Sequence, residues 1–273
     1  MTNTSIGSGA VRSIAAHGPA IDAIQRCLEL QNQVKPLGPV ARAFGLSPLS
    51  DESREWFDAA VGELEVAVTL ERLGSGWVVF HAAQGGMEDS RVDHVLIGPG
   101  GVFAIVSKAH VGQQVFATGT TLTADDVKQS HLRIAAQVAG NAEAIIEKAL
   151  GEHIDVTPIV VIAGAHSLTL GSTPPTAEVL SPLEVGPFLQ RQRRVLSDET
   201  VAQLVRIAAL RPNLSQTSIA LNDVVTSTAK FAQLQHRVDV AIHRSRVWTA
   251  AAALAVLMLL TVTLVKFLPS LGS

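Results

Sequence analysis

A single cysteine, Cys27, stands among 273 residues, which excludes an intramolecular disulfide and any zinc site built from several thiolates and fits a reducing compartment. Charge is scarce as well: only 16% of residues are Asp, Glu, Lys or Arg, against roughly 25% in a typical soluble domain. No basic excess exists, since Lys+Arg number 21 and Asp+Glu 24, so a histone-like electrostatic nucleic-acid binder is excluded. The start of the chain, Met1 to Ala20, has Arg12 as its only charged side chain and no apolar run of signal-peptide length, and export through a cleaved leader is not expected. Internal repeats and low-complexity tracts are also missing.

What the chain does have is apolar sequence, 47% of residues with a mean hydropathy of +0.31, enough for a core and concentrated at one end. Trp248 to Val265 carries no charge; as a helix it would extend roughly 27 Å, close to the hydrocarbon thickness of a bilayer, with Trp248 at the interface and Lys266 able to snorkel. This pattern predicts a single-pass anchor. Arg237, His243, Arg244 and Arg246 precede the span and Lys266 follows it, so the N-terminal domain is expected on the cytoplasmic side of a bacterial inner or plasma membrane. Nothing folded is expected beyond the span. The predicted organisation is an extension over 1–50, an α/β domain over 51–212, a juxtamembrane helix over 213–247, a transmembrane helix over 248–268 and a tail over 269–273.

Along the chain, Ile21 to Val34 has apolar residues at helical spacing, interrupted by Gln31. Pro36, Pro39 and Pro48 are expected to break regular structure. Ser50 is a candidate N-cap followed by Asp51, Glu52 and Glu55, and Phe57, Val61, Leu64 and Val68 are the expected buried face of that helix, which should stop at Gly74-Ser75-Gly76. Strands are expected at Trp77–His81, Val92–Ile97 and Val102–Lys108, a long helix at Ala124–Leu150, a strand buried on both faces at Ile159–Ala163, and a short strand at Glu178–Leu180. Helices should follow near Pro182–Gln190 and Asp198–Leu210. This order is that of an α/β sandwich. Beyond Pro212, Phe231, Leu234, Val238 and Ile242 form a narrow apolar stripe. Such a stripe should pack on the domain or on a second copy, a homo-oligomer through residues 223–245.

Gly98-Pro99-Gly100-Gly101 reads as a hairpin turn. The register then opposes Ile97 to Val102, Val95 to Ala104 and Asp93 to Val106, with Lys108 on the same face one step further. An acid, a cross-strand acid and a lysine would hold a divalent cation and steady a phosphate, but the middle position is Val106, and one carboxylate is a weak Mg²⁺ site.

Gly62-Glu63, the run Val92 to Ile105, Lys108, Gly112, Val179-Leu180-Ser181-Pro182 and Leu196-Ser197-Asp198-Glu199 resemble the nuclease-related domain, NERD, over about Trp56 to Leu210. The resemblance implies a restriction-endonuclease-like fold of the PD-(D/E)XK type, a mixed sheet flanked by helices. It also implies a metal and phosphate site of a helix glutamate, a strand aspartate, an acid-any-lysine triplet and a downstream helix glutamine. Glu63, Asp93, Lys108 and Gln129 match those positions, with Asp93 and Glu63 as weak ligands to Mg²⁺ or Mn²⁺. Val106 stands where the acid belongs, and Ala109 where asparagine often follows the lysine.

Two function classes follow. One is a catalytically impaired nuclease-fold module that binds or scaffolds at the cytoplasmic membrane face. The other is a metal-dependent nuclease acting on DNA or RNA in which Glu63, Glu65 or Glu143 substitutes for the missing acid. His81, His94, His110 and His131 could supply a replacement ligand, and Arg191, Arg193 and Arg194 could meet phosphate, although lone structural histidines with satisfied hydrogen bonds and a solvated loop are the simpler expectation. Between Asp51 and Leu150 fourteen acids face seven Lys or Arg, which opposes a phosphate-binding surface and favours the first class.

Overall fold

The computed structural model describes residues 12–14, 18–84, 91–209 and 221–267. Its core is a hairpin extended on both sides. Strands β2 (Val78–Gln84), β3 (Arg91–Gly98) and β4 (Gly101–Ala109) are antiparallel neighbours. Strand β8 (Val156–Ala163) then lies parallel to β4, β10 (Glu178–Leu180) parallel to β8, and β1 (Arg12–Ile14) parallel to β2. The β3–β4 register is the one that the turn predicts, with Ile97 opposite Val102 and Val95 opposite Ala104. The turn itself is tighter, because Gly98 and Gly101 are already paired and only Pro99 and Gly100 bridge them. Gly98 is required there by contact: a Cβ on it would sit 2.2 Å from the Trp77 indole that lies across the turn.

A second sheet, β7-β6-β5-β9, was not legible in the sequence. It consists of β5 (Gln114–Thr118), β6 (Thr121–Ala124), β7 (Val127–Gln129) and β9 (Ser167–Leu170). Its strands are short, and the first sheet feeds them directly. β4 and β8 each turn a corner at a glycine with positive φ, Gly112 (75°) and Gly164 (70°), and continue as β5 and β9, again parallel. The long helix predicted from Ala124 is corrected accordingly. Asp125 and Asp126 adopt positive φ and form a tight β6–β7 turn, and helix α4 spans His131–Leu150. Asp is among the residues that tolerate this conformation, so local turn chemistry overrides the helical pattern.

Helix α3 (Asp51–Leu70) is capped by Ser50, whose side chain accepts the Ser53 N–H. Gln31, the polar residue in the stripe of α1 (Ile21–Asn32), ties the two helices together: its amide oxygen accepts from the Ser53 hydroxyl (2.8 Å) and its amide nitrogen donates to the Pro48 carbonyl (2.7 Å). Pro39 opens rather than breaks a helix, α2 (Pro39–Ala43), at a first-turn position where a missing N–H costs nothing. The expected buried face of α3 is also corrected. Ala60, Gly62, Glu63, Val66, Ala67 and Leu70 face inward with Phe57, whereas Val68 is exposed and Val61 and Leu64 are half-buried. The small residues win because the helix lies close on the sheet: a Cβ on Gly62 would be 2.8 Å from that of Ala163.

Each face of the sheet has its own cover. Leu96, Phe103, Ile105, Ile159 and Val161 pack with Val66 and Leu70 of α3 and with Val185 and Leu189 of α5 (Pro182–Gln190). Ile97, Val102, Ala104 and Val156 pack with Val138 and Ile146 of α4 and Leu204 of α6 (Asp198–Ala209). Helix α7 runs without interruption from Leu221 to Phe267. Its stripe is buried on its own domain, with Phe231, Leu234 and Val238 against Ile24, Cys27, Phe57 and Ala60, while Ile242 stays 43% exposed.

Overpacking the α3–β8 contact should cost about 1–3 kcal/mol, so Gly62→Val is expected to lower the midpoint of chemical unfolding. Gly140→Ala, on α4 with nothing within 4 Å of its new Cβ, should instead raise stability by about 0.5–1 kcal/mol through helix propensity alone.

Candidate functional site

The β3–β4 pairing ends at His94–Ile105, and just beyond it the Asp93 carboxylate takes up a strand N–H: its Oδ2 accepts the Ser107 N–H at 2.5 Å. By strand alternation Asp93, Val106 and Lys108 share one face, the face covered by α4 and the second sheet. Val106 is 1% exposed and packs among Val115, Ala117, Leu122, Leu132 and Ala135. A carboxylate introduced here would leave water for an apolar core. Lys108 is half-buried at the rim, close enough to His131 to repel its protonated form.

The other matched positions lie elsewhere. Glu63 is on α3, which packs on the opposite face of the sheet, the one that carries His94; it is 8% exposed and accepts the Ala20 N–H at 2.7 Å. Gln129 ends β7 instead of standing on a helix, two residues before α4, and its side-chain amide donates to the Val127 carbonyl (3.3 Å). Asp93 and Lys108 therefore meet on one face, and Glu63 is across the sheet. The donor set on the Asp93 face offers one carboxylate with an oxygen engaged by Ser107 and an apolar residue opposite. Among the described residues no group of three or more His, Cys, Asp or Glu side chains gathers in reach of one cation. These residues do not fit a Mg²⁺ or Mn²⁺ centre, which needs several oxygen ligands.

Four histidines form two pairs, an arrangement that sequence reasoning left as four separate residues. His81 and His94 are cross-strand partners on the α3 face, edge to face, with Nδ1 atoms 2.8 Å apart. His94 is 0% exposed, and among the described residues its Nε2 makes no hydrogen bond of good geometry. Burial pushes His81 down to about 4. It holds His94 further below the ordinary range, with repulsion from His81 adding to the effect and the Glu63 backbone carbonyl opposing it. The pairing follows from the hairpin register once β2 is extended to Gln84, so it was available to a sequence reading that placed that strand correctly.

His110 and His131 meet at the far end of β4, Nε2 to Nε2 at 2.9 Å. His110 Nδ1 faces the Gln113 amide oxygen at 2.8 Å and so carries its proton. In the neutral tautomer that this implies, His110 Nε2 accepts from His131, and among the described residues the buried His131 Nδ1 has no hydrogen-bond partner. Burial, then repulsion from His110 and Lys108, lowers His131 to about 4.

Glu143 on α4 spends Oε1 on the Val156 N–H (2.9 Å) and so anchors the start of β8. Glu65 is exposed on α3, with its carboxyl raised by partial burial. Arg194 pairs with Asp198, and Arg191 donates to the Pro187 carbonyl. The loop that follows these arginines fastens to the hairpin turn, with the Val195 and Leu196 N–H groups both donating to the Pro99 carbonyl (2.8 and 3.1 Å).

The neutral histidines make stability pH-dependent. Their folded pKa values lie below the unfolded value of 6.5, so the unfolded chain takes up protons first. Their contribution is complete above about pH 6.5 and drains away towards pH 4, at up to about 1.4 kcal/mol per pH unit for each ring. Unfolding measured across this window should steepen with acid, and His131→Gln should flatten the slope. An unchanged slope in that variant would show that His131 is not held neutral.

Residues 58–163 match the family model of NERD, described as the nuclease-related domain. No curated protein and no solved structure matches the chain. The match begins inside α3, takes in the whole Asp93–Lys108 hairpin and both histidine pairs, and ends with β8. Residues 58–163 are thus similar to the nuclease-related domain; they lie within a mixed α/β core, and among the described residues one helix, at the C-terminal end, is long and apolar enough to cross a membrane.

Proposed function

We propose that this protein is a membrane-anchored nuclease-related domain with impaired hydrolytic chemistry that acts as a binding or scaffolding module at the cytoplasmic membrane face. The observation that carries the impairment is the burial of Val106 at 1% exposure in an apolar cluster. The position where the family pattern puts a second carboxylate is here part of the core. Asp93 and Lys108 keep their places beside it, but a lone carboxylate leaves a dication undercoordinated. Of the acids that could substitute, Glu63 and Glu143 each give a carboxylate oxygen to a backbone N–H remote from Asp93.

Support for the anchor comes from α7. Within Asp223–Thr263 lies a window of mean hydropathy 1.7 of which none is buried by the domain. Leu254, Val256, Leu257, Met258, Leu259 and Leu260 are all more than half exposed, a surface that a bilayer would cover. The run of arginines before Trp248 favours a cytoplasmic domain.

Two measurements test the reading. The purified protein should show little Mn²⁺- or Mg²⁺-dependent cleavage of DNA or RNA, and Val106→Glu should bind Mn²⁺ more tightly than the parent, a gain that Asp93→Ala abolishes. Stability must be followed with and without Mn²⁺, since a buried carboxylate without metal is costly and its pKa is raised. Robust cleavage by the parent that Asp93→Ala removes would replace this proposal with a working nuclease using another acid. For the anchor, a chain ending at Val247 should leave carbonate-washed membranes for the soluble fraction while remaining folded, because the packed stripe ends at Ala241. Retention of that shortened chain in the membrane would refute a single C-terminal anchor.

A further inference from the structure

Helix α7 enters its apolar segment while still in contact with the domain. Gly45, in the left-handed region at φ 76°, lies so close to α7 that a Cβ there would be 2.4 Å from Ser245 N and 2.6 Å from the Ala241 carbonyl oxygen. The Trp248 indole N–H donates to the Ala43 carbonyl (3.0 Å), and its ring meets Phe44 with centroids 4.9 Å apart. The segment from α2 to Leu46 is therefore fixed at the level where the span begins.

That segment and α7 enclose a cleft of roughly 610 Å³, in the range of small-molecule sites, whose lining includes Arg42, Arg237, Arg244 and His236 and, among the described residues, no Asp or Glu. Among the described residues the arginines make side-chain hydrogen bonds only to backbone carbonyls: Arg42 Nε to Leu37 (2.9 Å), Arg244 Nη1 to Arg42 (3.0 Å) and Arg237 Nε to Gln233 (3.4 Å). Among the described residues, none of these guanidinium groups forms an ion pair with a carboxylate. Apolar side chains flank the cleft on the same segment, with Val40 68%, Phe44 50% and Leu46 52% exposed beside Trp248 at 48%. Arg244 precedes Trp248 by four residues, about 6 Å along a helix, which is the depth of a headgroup layer.

We propose that this cleft binds the phosphate of an anionic phospholipid headgroup, with Val40, Phe44 and Leu46 dipping into the interface, so that the domain docks on the membrane surface. Three observations converge on it. The unneutralised guanidinium groups call for an anion, the exposed apolar rim calls for a nonpolar phase, and both adjoin the first turn of the span. The proposal rests on α7 crossing the bilayer, and its test reads that separately.

Full-length protein carrying Leu46→Cys is labelled with a fluorophore, with the fully buried Cys27 left in place, and reconstituted into vesicles of phosphatidylcholine with or without phosphatidylglycerol. A second sample carries the label at Leu257→Cys. Nitroxide-bearing lipids, shallow for the first probe and deep for the second, quench whatever they reach. Quenching at position 46 should be strong and should rise with phosphatidylglycerol, and Arg42→Gln with Arg244→Gln should remove the rise. A probe at Leu183→Cys, 85% exposed on α5, should stay unquenched. In detergent micelles titrated with short-chain phosphatidylglycerol, each Arg→Gln change should weaken binding about fivefold. Quenching at 46 that equals the Leu183→Cys background, or that ignores both phosphatidylglycerol and the arginines, overturns the proposal. So does binding of soluble glycerol phosphate as tight as that of the lipid, which would make the cleft a site for a free phosphate. Deep quenching at 257 is expected in every sample, and its loss would refute the span itself.

Discussion

Everything in the α/β domain depends on strand β4 being buried on both sides. It pairs antiparallel with β3 and parallel with β8, and its alternate side chains supply two separate cores. Phe103 and Ile105 belong to the layer under α3 and α5; Val102 and Ala104 belong to the layer under α4 and α6, with Val106 continuing that side into the second sheet. A strand so enclosed has no neutral position at which to hold a carboxylate. An acid at 106 needs a compensating cation, and a valine there needs nothing. Valine at 106 thus completes an apolar layer.

The same division explains why the candidate residues separate. Period-two alternation sends Asp93 and Lys108 to the α4 face and His94 to the α3 face. Glu63, on α3, is held beneath the sheet by the Ala20 N–H. The histidine pairs respect this geometry too, one inside the α3 layer and one at the corner where β4 turns into β5. Each pair brings two ring nitrogens within hydrogen-bond distance, and burial disfavours the charged form of His81, His94 and His131, so polar nitrogen is buried at little cost in buried charge.

Helix α7 links this domain to the apolar segment without a joint. Its stripe fills a fourth core with α1 and α3, and Cys27 in that core has its thiol pushed up to about 11 by burial and by nearby Asp58, so it remains protonated. The absence of a flexible stalk between Ala241 and Trp248 means that the domain's position relative to the apolar segment is set by packing: Gly45 against the α7 backbone and Phe44 against Trp248.

Sequence alone determined the parts whose signal is local. The Gly98–Gly101 turn fixed the β3–β4 register as far as the His94–Ile105 pair; Ser50 fixed the start of α3; the continuous apolar run Ile159–Ala163 announced a strand covered on both faces; and the uncharged run from Trp248 announced the long apolar helix. Tertiary structure decided what depends on distance between elements. The buried face of α3 turned towards Ala60, Gly62 and Ala67 because close approach to β8 rewards small side chains over the larger Val61, Leu64 and Val68. The second sheet, with strands of three to five residues, exists because β4 and β8 run on into it and each strand finds its partner only there. Periodicity records which side of an element is apolar, but which neighbour arrives, and how closely, is settled only when the whole chain packs.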